Sequence, residues 1–336
     1  MNKFIKATSL ISNHYKDTIK INLSPPYGYR SRCEFGYRDG FYTMYDSSGN
    51  IQHLEVFYVA RPIIQNLMPK LRNSINSSKF LNHKLFQVNF RTNSDDSILV
   101  TLIFHKKLDD DMKAEAQKLS NEFEIAINIR SRKDIYSTGN DLLADKLNIN
   151  NILLYQTDQS FYQPNHFHMP KMVMKTISFL ENTQDLLELY CGSGTFTLPL
   201  SYKFNKVFAT ESNRQSIKCL SKSIEELSIT NIDFARLSAE EVSEAFNGRV
   251  FRRMNRNNIN TYNFSHVLVD PPRSGLNDEV IDIIKKFKNI IYISCNYETY
   301  TRDINKLNGY AIKHIEIFDQ FPNTEHLEIV SLLSKQ

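Results

Sequence analysis

At 336 residues the chain has the length of two ordinary domains. Its 41% hydrophobic, 12% aromatic and 23% charged residues supply enough apolar side chain for a core, which excludes a disordered protein. No apolar run approaches the ~18 residues that a spanning helix needs, and the opening Met1-Asn2-Lys3-Phe4-Ile5-Lys6 lacks the apolar stretch of a signal peptide, so a cytoplasmic protein without a membrane partner is expected. The formal charge of +4 is compatible with a nucleic-acid partner without requiring one.

In the first half, Arg32–Tyr45, His53–Val59, Leu85–Arg91, Ser97–His105 and Ile125–Arg130 read as strands with partial alternation, and Arg61–Asn76 and Asp109–Glu122 as helices. Strands with so few helices suggest an α+β module, placed at residues 1–160. Beyond it, over 161–336, short apolar runs alternate with amphipathic stretches. Asp185–Cys191, Lys206–Glu211, Asn231–Leu237, Phe264–Asp270 and Asn289–Cys295 read as strands; Phe196–Phe204, Asn213–Leu227, Glu240–Phe246, Asp278–Phe287 and Glu298–Leu307 read as helices. That order predicts an α/β fold with a mostly parallel sheet covered on both faces. The final runs, Ala311–Phe318 and Leu327–Leu333, are too close together for a parallel crossover and should pair antiparallel. Arg249, Arg252, Arg253 and Arg256 interrupt the alternation and read as a loop.

Residues with chemistry gather where the predicted strands end. Leu187-Glu188-Leu189-Tyr190-Cys191-Gly192-Ser193-Gly194-Thr195-Phe196 is a strand running through a glycine turn into a helix. Position 197 is Thr197, so the third glycine of the dinucleotide fingerprint is missing, which argues against a pyrophosphate. Glu211 ends the second strand, where a carboxylate accepts hydrogen bonds from ribose hydroxyls. The pair suits a nucleoside cofactor without phosphates, and S-adenosylmethionine is one; a plain turn with a solvated glutamate is the bland alternative. Asp270 ends the fourth strand before Pro271-Pro272, which lack N–H donors and fix the backbone, so the carboxylate is expected in the cleft. Ser294-Cys295-Asn296 places a thiol at a strand-to-helix junction, where amides and the helix N-terminus favour a thiolate. Glu328 stands in an otherwise apolar run, where burial would raise its pKa and suit it to proton transfer. Cys33, Cys191, Cys219 and Cys295 match no zinc or iron–sulfur spacing, and no metal is expected.

In order, the Cys-Gly-x-Gly turn, Asp270-Pro271-Pro272-Arg273-Ser274-Gly275-Leu276, Ser294-Cys295-Asn296 and Asp319-Gln320-Phe321-Pro322-Asn323-Thr324-Glu325-His326-Leu327-Glu328 resemble the RNA uridine-C5 methyltransferases that use S-adenosylmethionine. Within them the likeness is to the bacterial tRNA (uracil-5-)-methyltransferase branch, the TrmA type. Arg30-Ser31-Arg32-Cys33-Glu34-Phe35, His83-Lys84-Leu85-Phe86-Gln87 and Ser160-Phe161-Tyr162-Gln163-Pro164-Asn165 extend it over nearly the whole chain.

The resemblance implies a class I, Rossmann-like methyltransferase domain with an antiparallel last strand, preceded by an RNA-recognition domain. It makes Cys295 the nucleophile and Glu328 the base, puts Gln163, Tyr190, Gly192, Thr195, Glu211 and Asp270 at the cofactor, and makes Phe86 an aromatic that stacks in the RNA site. Thr195 stands where the nearest relatives place Asn, and a buried core Phe is the alternative for Phe86. Arg30 and Arg32, with Lys106, Lys107, Arg130, Arg132 and Lys133, would meet phosphates. The implied substrate is uridine 54 in the T-arm of tRNA, with transfer-messenger RNA as a second acceptor. Ribosomal RNA is the alternative, disfavoured because the clustered cysteines of that branch's iron–sulfur site are missing.

Overall fold

The computed structural model describes every residue except Met1, Ser47, Asn255 and Arg256. The chain divides into two compact units. One comprises the segment up to Ser24, Leu147–Leu154 and Ser160–Gln336; the other comprises Pro25–Lys146 and Tyr155–Gln159.

The larger unit is built on an eight-stranded sheet. Its spatial order is Lys20–Asn22, Tyr310–Phe318, Glu328–Lys335, Asn289–Ser294, Phe264–Val269, Asp185–Leu189, Lys206–Thr210 and Ile232–Ala235. Glu328–Lys335 runs antiparallel to both neighbours, as its short connection to Tyr310–Phe318 requires, and the other pairs are parallel. Lys206–Thr210 lies on one side of Asp185–Leu189 and Phe264–Val269 on the other, so the strand order reverses there. Such a reversal opens a crevice at the carboxyl ends.

Both faces of this sheet are covered. Leu187, Leu189, Val267, Val269 and Ile290 pack beneath the helices Asn2–Ile11, Ala239–Phe246, Asp278–Ile284 and Tyr297–Ile304. Leu186, Val207, Ala209, Leu268, Ile291 and Ile293 pack on the opposite side with Met169–Ser178 and Leu220 of Arg214–Glu226. Adjacent strand residues thus enter different cores, and the strands read as unbroken apolar runs. Each large aliphatic chain so buried contributes about 1.5–3 kcal/mol.

Residues 2–24, expected within the N-terminal domain, belong instead with this sheet. Lys20–Asn22 pairs with Glu316–Phe318, and the preceding helix puts Ala7 and Ile11 into the core. Ile149, Ile152 and Leu154 are likewise buried in the opposite core, so 147–154 also departs from the expected boundary.

The smaller unit carries a seven-stranded sheet in the order Ile51–Leu54, Phe41–Tyr45, Arg32–Arg38, Leu85–Thr92, Ile98–Phe104, Ala126–Arg130 and Ile135–Ser137. Only Ile98–Phe104 with Ala126–Arg130 is parallel, joined by the crossover helix Asp110–Phe123, which Asp109 caps by accepting the Met112 N–H at 2.9 Å. That helix and Pro62–Ser77 contribute Met112 and Met68 to a core shared with Phe35, Tyr42, Phe90, Leu102 and Ile129. The expected strand Arg32–Tyr45 is a hairpin, because Asp39 and Gly40 turn the chain at φ 53° and 77°. In place of the expected strand His53–Val59, the strand is Ile51–Leu54, which shares only His53 and Leu54 with it. Among the described residues no helix is long and apolar enough to cross a membrane.

Candidate active site

Strand Asp185–Leu189 delivers the glycine turn. Tyr190, Gly192 and Gly194 all take positive φ, at 61°, 57° and 92°. A Cβ on Gly194 would lie 2.6 Å from Leu220 Cδ1 and 3.3 Å from Leu198 Cγ, so glycine lets the turn pack against its helices. Glu211, just beyond the second strand, accepts the Gly192 N–H at 3.1 Å through Oε2 and the Asn213 N–H at 2.7 Å through Oε1. Its carboxylate therefore ties the glycine turn to the start of the next helix, a task that reading it as a ribose acceptor alone leaves out. Thr195, which follows Gly194 in the turn, is 5% exposed, and Gln163 is 3% exposed.

Asp270 follows strand Phe264–Val269, and the loop after it is pinned from behind. Buried Asp303 accepts the Leu276 N–H at 2.8 Å and the Tyr292 hydroxyl at 2.7 Å, while Arg302 Nη2 donates to the Ser274 and Leu276 carbonyls at 2.9 and 3.1 Å. Gly275, at φ 74°, completes the fit, since a Cβ there would lie 2.5 Å from Asp303 Oδ2. In front, Gln163 Nε2 donates to Asp270 Oδ2 at 3.3 Å, and Gln163 Oε1 accepts from Gln320 Nε2 at 2.8 Å. Two amides in series thus orient one carboxylate.

Cys295 follows strand Asn289–Ser294. Asn296 caps the next helix by accepting the Glu298 N–H at 2.9 Å, and Ser294 Oγ donates to the Asn296 carbonyl at 3.1 Å, so the backbone on both sides of the thiol is held. Cys33, Cys191 and Cys219 are buried, whereas Cys295 is partly exposed. Glu328 opens the adjacent antiparallel strand, where the next residue, Ile329, pairs with Ser294, and it is 3% exposed.

The three groups share one electrostatic environment. Burial, reinforced by the Asp270 charge, holds the Glu328 carboxyl well above the usual carboxylate range. Burial also pushes Asp270 up to about 7, opposed by the Gln163 hydrogen bond and aided by Glu211. Burial, then the charges of Glu328 and Asp270, push the Cys295 thiol up to about 12, against Arg273. Desolvation first, and the neighbouring carboxyls after it, thus oppose the thiolate that the helix N-terminus favours.

The surroundings fit a nucleoside cofactor. A glycine cradle and the Glu211 carboxylate stand together at the reversal of strand order, and the buried Gln320 Oε1 has no hydrogen-bond partner among the described residues. Burial, partly offset by a hydrogen bond with Thr197, pushes Glu188 up to about 8.

The model of the tRNA (uracil-5-)-methyltransferase family matches residues 1–336. The chain is 38% identical to a tRNA/tmRNA (uracil-C(5))-methyltransferase of Saccharophagus degradans, over 97% of this chain and 92% of that protein. It is 39% identical to the protein of that name from Campylobacter concisus, over 96% and 90%. The chain belongs to the tRNA (uracil-5-)-methyltransferase family. Its fold matches the crystal structure of Pyrococcus abyssi tRNA (uracil-54, C5)-methyltransferase in complex with S-adenosyl-L-homocysteine, with a TM-score of 0.78 at 21% identity, covering 99% of this chain and 83% of that one.

For a methyltransferase of this family the smaller unit offers an aromatic platform. Phe86 is 48% exposed, which removes the core alternative, and stacks on His105 with ring centroids 4.2 Å apart and planes 19° from parallel. Both rings line an open groove of about 770 Å³ with Arg38, Met44, Tyr45 and Lys84. Arg32 forms an ion pair with Glu34 at 2.7 Å, and Arg30 Nε donates to the Arg32 carbonyl at 2.8 Å, so both are engaged locally. Arg249 and Arg253 pair with Glu244 and Glu241 and lie over Phe251, a 3-10 turn forms at Arg252–Met254, and Arg256 lies outside the described residues. Among the described residues no group of three His, Cys, Asp or Glu side chains is arranged to hold a metal ion.

Sequence reasoning missed the positioning roles of Gln320, Asp303 and His105. Gln320 sits inside a motif whose outer members drew attention. His105 gave no such signal: in this antiparallel pair Leu85 opposes Phe104 and His105 bonds Lys84, and a bulge between Leu85 and Gln87 brings the Phe86 ring over His105 only diagonally.

Proposed function

We propose that the protein transfers a methyl group from S-adenosylmethionine to C5 of uridine 54 in the T-loop of tRNA through a covalent adduct between Cys295 and C6, and that transfer-messenger RNA is a second acceptor. The observation that carries this reading is the cluster of one partly exposed thiol and two carboxylates with raised pKa values beside the glycine turn. Family membership and the names of the relatives support tRNA over ribosomal RNA.

C5 of uracil is a weak nucleophile until C6 is attacked. Cys295 Sγ bonds to C6 while its proton passes to a carboxylate of the cluster; Asp270, which burial makes more basic than an ordinary carboxylate, is the acceptor proposed for that task. The electrons of the C5–C6 double bond move toward O4, and the resulting enolate makes C5 nucleophilic. When bound, S-adenosylmethionine supplies the electrophilic methyl and a positive charge that favours the ionised forms of Asp270 and Glu328. Gln163, Tyr190, Gly192, Thr195 and Glu211 are the residues proposed to hold it. Ionised Glu328 then accepts the C5 proton, the electrons of that C–H bond re-form the C5–C6 double bond as the C6–Sγ bond breaks, and the departing sulfur takes back its proton from Asp270. Phe86 is the side chain proposed to stack in place of the extruded base, at a cost of a few kcal/mol for unstacking; Arg30 and Arg32 are proposed at the phosphates.

The test is to incubate the protein with methyl-labelled S-adenosylmethionine and total RNA and to map the product. Label at uridine 54 of tRNA is expected. Label confined to ribosomal RNA, or at another atom of the base, would overturn the reading.

A further inference from the structure

We propose that Lys3 is a positioning residue that holds the loop carrying Gln320 and leading to Glu328 in its working shape. Lys3 lies on helix Asn2–Ile11 and is only 6% exposed. Its Nζ donates to Asp319 Oδ1 at 2.6 Å, to the Phe321 carbonyl at 3.0 Å and to the His326 carbonyl at 2.9 Å. An ammonium has three donors, and all three are spent on one loop.

A lysine at a buried position of this helix, in line with Ala7 and Ile11, is costly unless paired; a methionine would satisfy packing alone. The charge is explained by what it grips. The Phe321 and His326 carbonyls stand at the two ends of the turn, and Asp319 stands before it, so one ammonium staples its entry and exit. Gln320 lies inside the stapled stretch and Glu328 follows His326 by two residues. Gln320 then orients Gln163, and Gln163 orients Asp270.

The rest of the N-terminal segment grips the same loop. The Asp319 N–H donates to the Asn22 carbonyl at 2.8 Å, and Asn165 Nδ2 donates both to Ser24 Oγ at 2.9 Å and to the Gln320 carbonyl at 3.1 Å. The Lys6–Glu325 pair, 3.6 Å and exposed at both ends, adds little.

The effect on turnover rests on the methyltransferase reading given above; the effect on the loop does not. Lys3→Ala and Asp319→Asn are compared with the wild type by hydrogen exchange of the amides of residues 319–328, without substrates. They are also compared by kcat and by KM for tRNA and for S-adenosylmethionine, with and without propylammonium, which has the size and charge of the part removed from Lys3. Expected are exchange at least tenfold faster in both folded variants, and a kcat at least tenfold lower with each KM changed less than threefold. In Lys3→Ala, a saturable recovery of kcat is expected with propylammonium and not with propanol. Unchanged exchange in either folded variant overturns the inference whatever the activity. So does a kcat within twofold of the wild type. If the wild type itself makes no 5-methyluridine, the functional reading fails while the exchange result still decides the role of Lys3.

Discussion

Replacing Gly275 by Ala tests the packing that holds the Asp270 loop. Two costs combine: an L-residue at φ 74° loses about 1–2 kcal/mol relative to glycine, and the new Cβ would fall 2.5 Å from Asp303 Oδ2, 2.6 Å from Arg302 Nη2 and 3.0 Å from Thr299 Cβ. Asp303 must then move, which releases the buried Leu276 N–H from a charged acceptor, a bond of about 1.5–3 kcal/mol. Gly275→Ala should therefore cost about 3–5 kcal/mol, large against a typical 5–15 kcal/mol of total stability. Gly309 is the control: its φ is 81°, but a Cβ there meets nothing within 4 Å, so Gly309→Ala should show only the backbone cost. Urea denaturation of both variants, with kcat/KM at a temperature where both are folded, makes the comparison. Equal stabilities within about 0.5 kcal/mol would refute the claim that Asp303 and Arg302 hold this loop by close contact.

Asp270→Asn should make stability less pH-dependent. The native carboxyl titrates near 7 and the unfolded one near 3.8, so between these values the native state binds more protons, and wild-type stability falls as pH rises and levels off above 7. Asn has no such slope, and urea midpoints should favour the variant more at pH 7.5 than at pH 4.5; an equal difference at both would contradict the assignment. The same change removes a negative charge beside Cys295, so the pH midpoint of thiol alkylation should drop below the value near 12. Glu211→Ala should weaken S-adenosylmethionine by calorimetry while leaving tRNA affinity nearly unchanged, and loss of both in a folded protein would count against a cofactor role. Phe86→Ala should lower turnover while preserving the salt dependence of tRNA binding, because stacking releases no counterions; unchanged turnover would remove Phe86 from the RNA site.

The catalytic half was readable because its physics is local. A strand buried on both faces must be an apolar run, and Asp270, Cys295 and Glu328 stand out as polar groups at the ends of such runs. The parts that were not readable depend on long-range partners. Lys3 looks like a solvated lysine until Asp319, Phe321 and His326 surround it, and strand Lys20–Asn22, which follows helix Asn2–Ile11, finds its partner only in the distant Glu316–Phe318. The hairpin within Arg32–Tyr45 was legible, since Asp39-Gly40 between two strand-like runs is a turn signal, but the flanking strands masked it. The electrostatics around Cys295 were not legible either: a helix N-terminus favours a thiolate modestly, and the burial and carboxyls that oppose it come from distant segments.

The central claim is that Cys295 attacks first and Glu328 acts only after methyl transfer. The most direct measurement is a denaturing gel of Cys295→Ala and Glu328→Gln incubated with tRNA and methyl-labelled S-adenosylmethionine. Glu328→Gln keeps the size of the side chain but cannot take the C5 proton, so a protein–RNA band carrying the methyl label should accumulate. Cys295→Ala should give neither band nor product. Turnover of Glu328→Gln at the wild-type rate, or a trapped band without the methyl, would contradict the account.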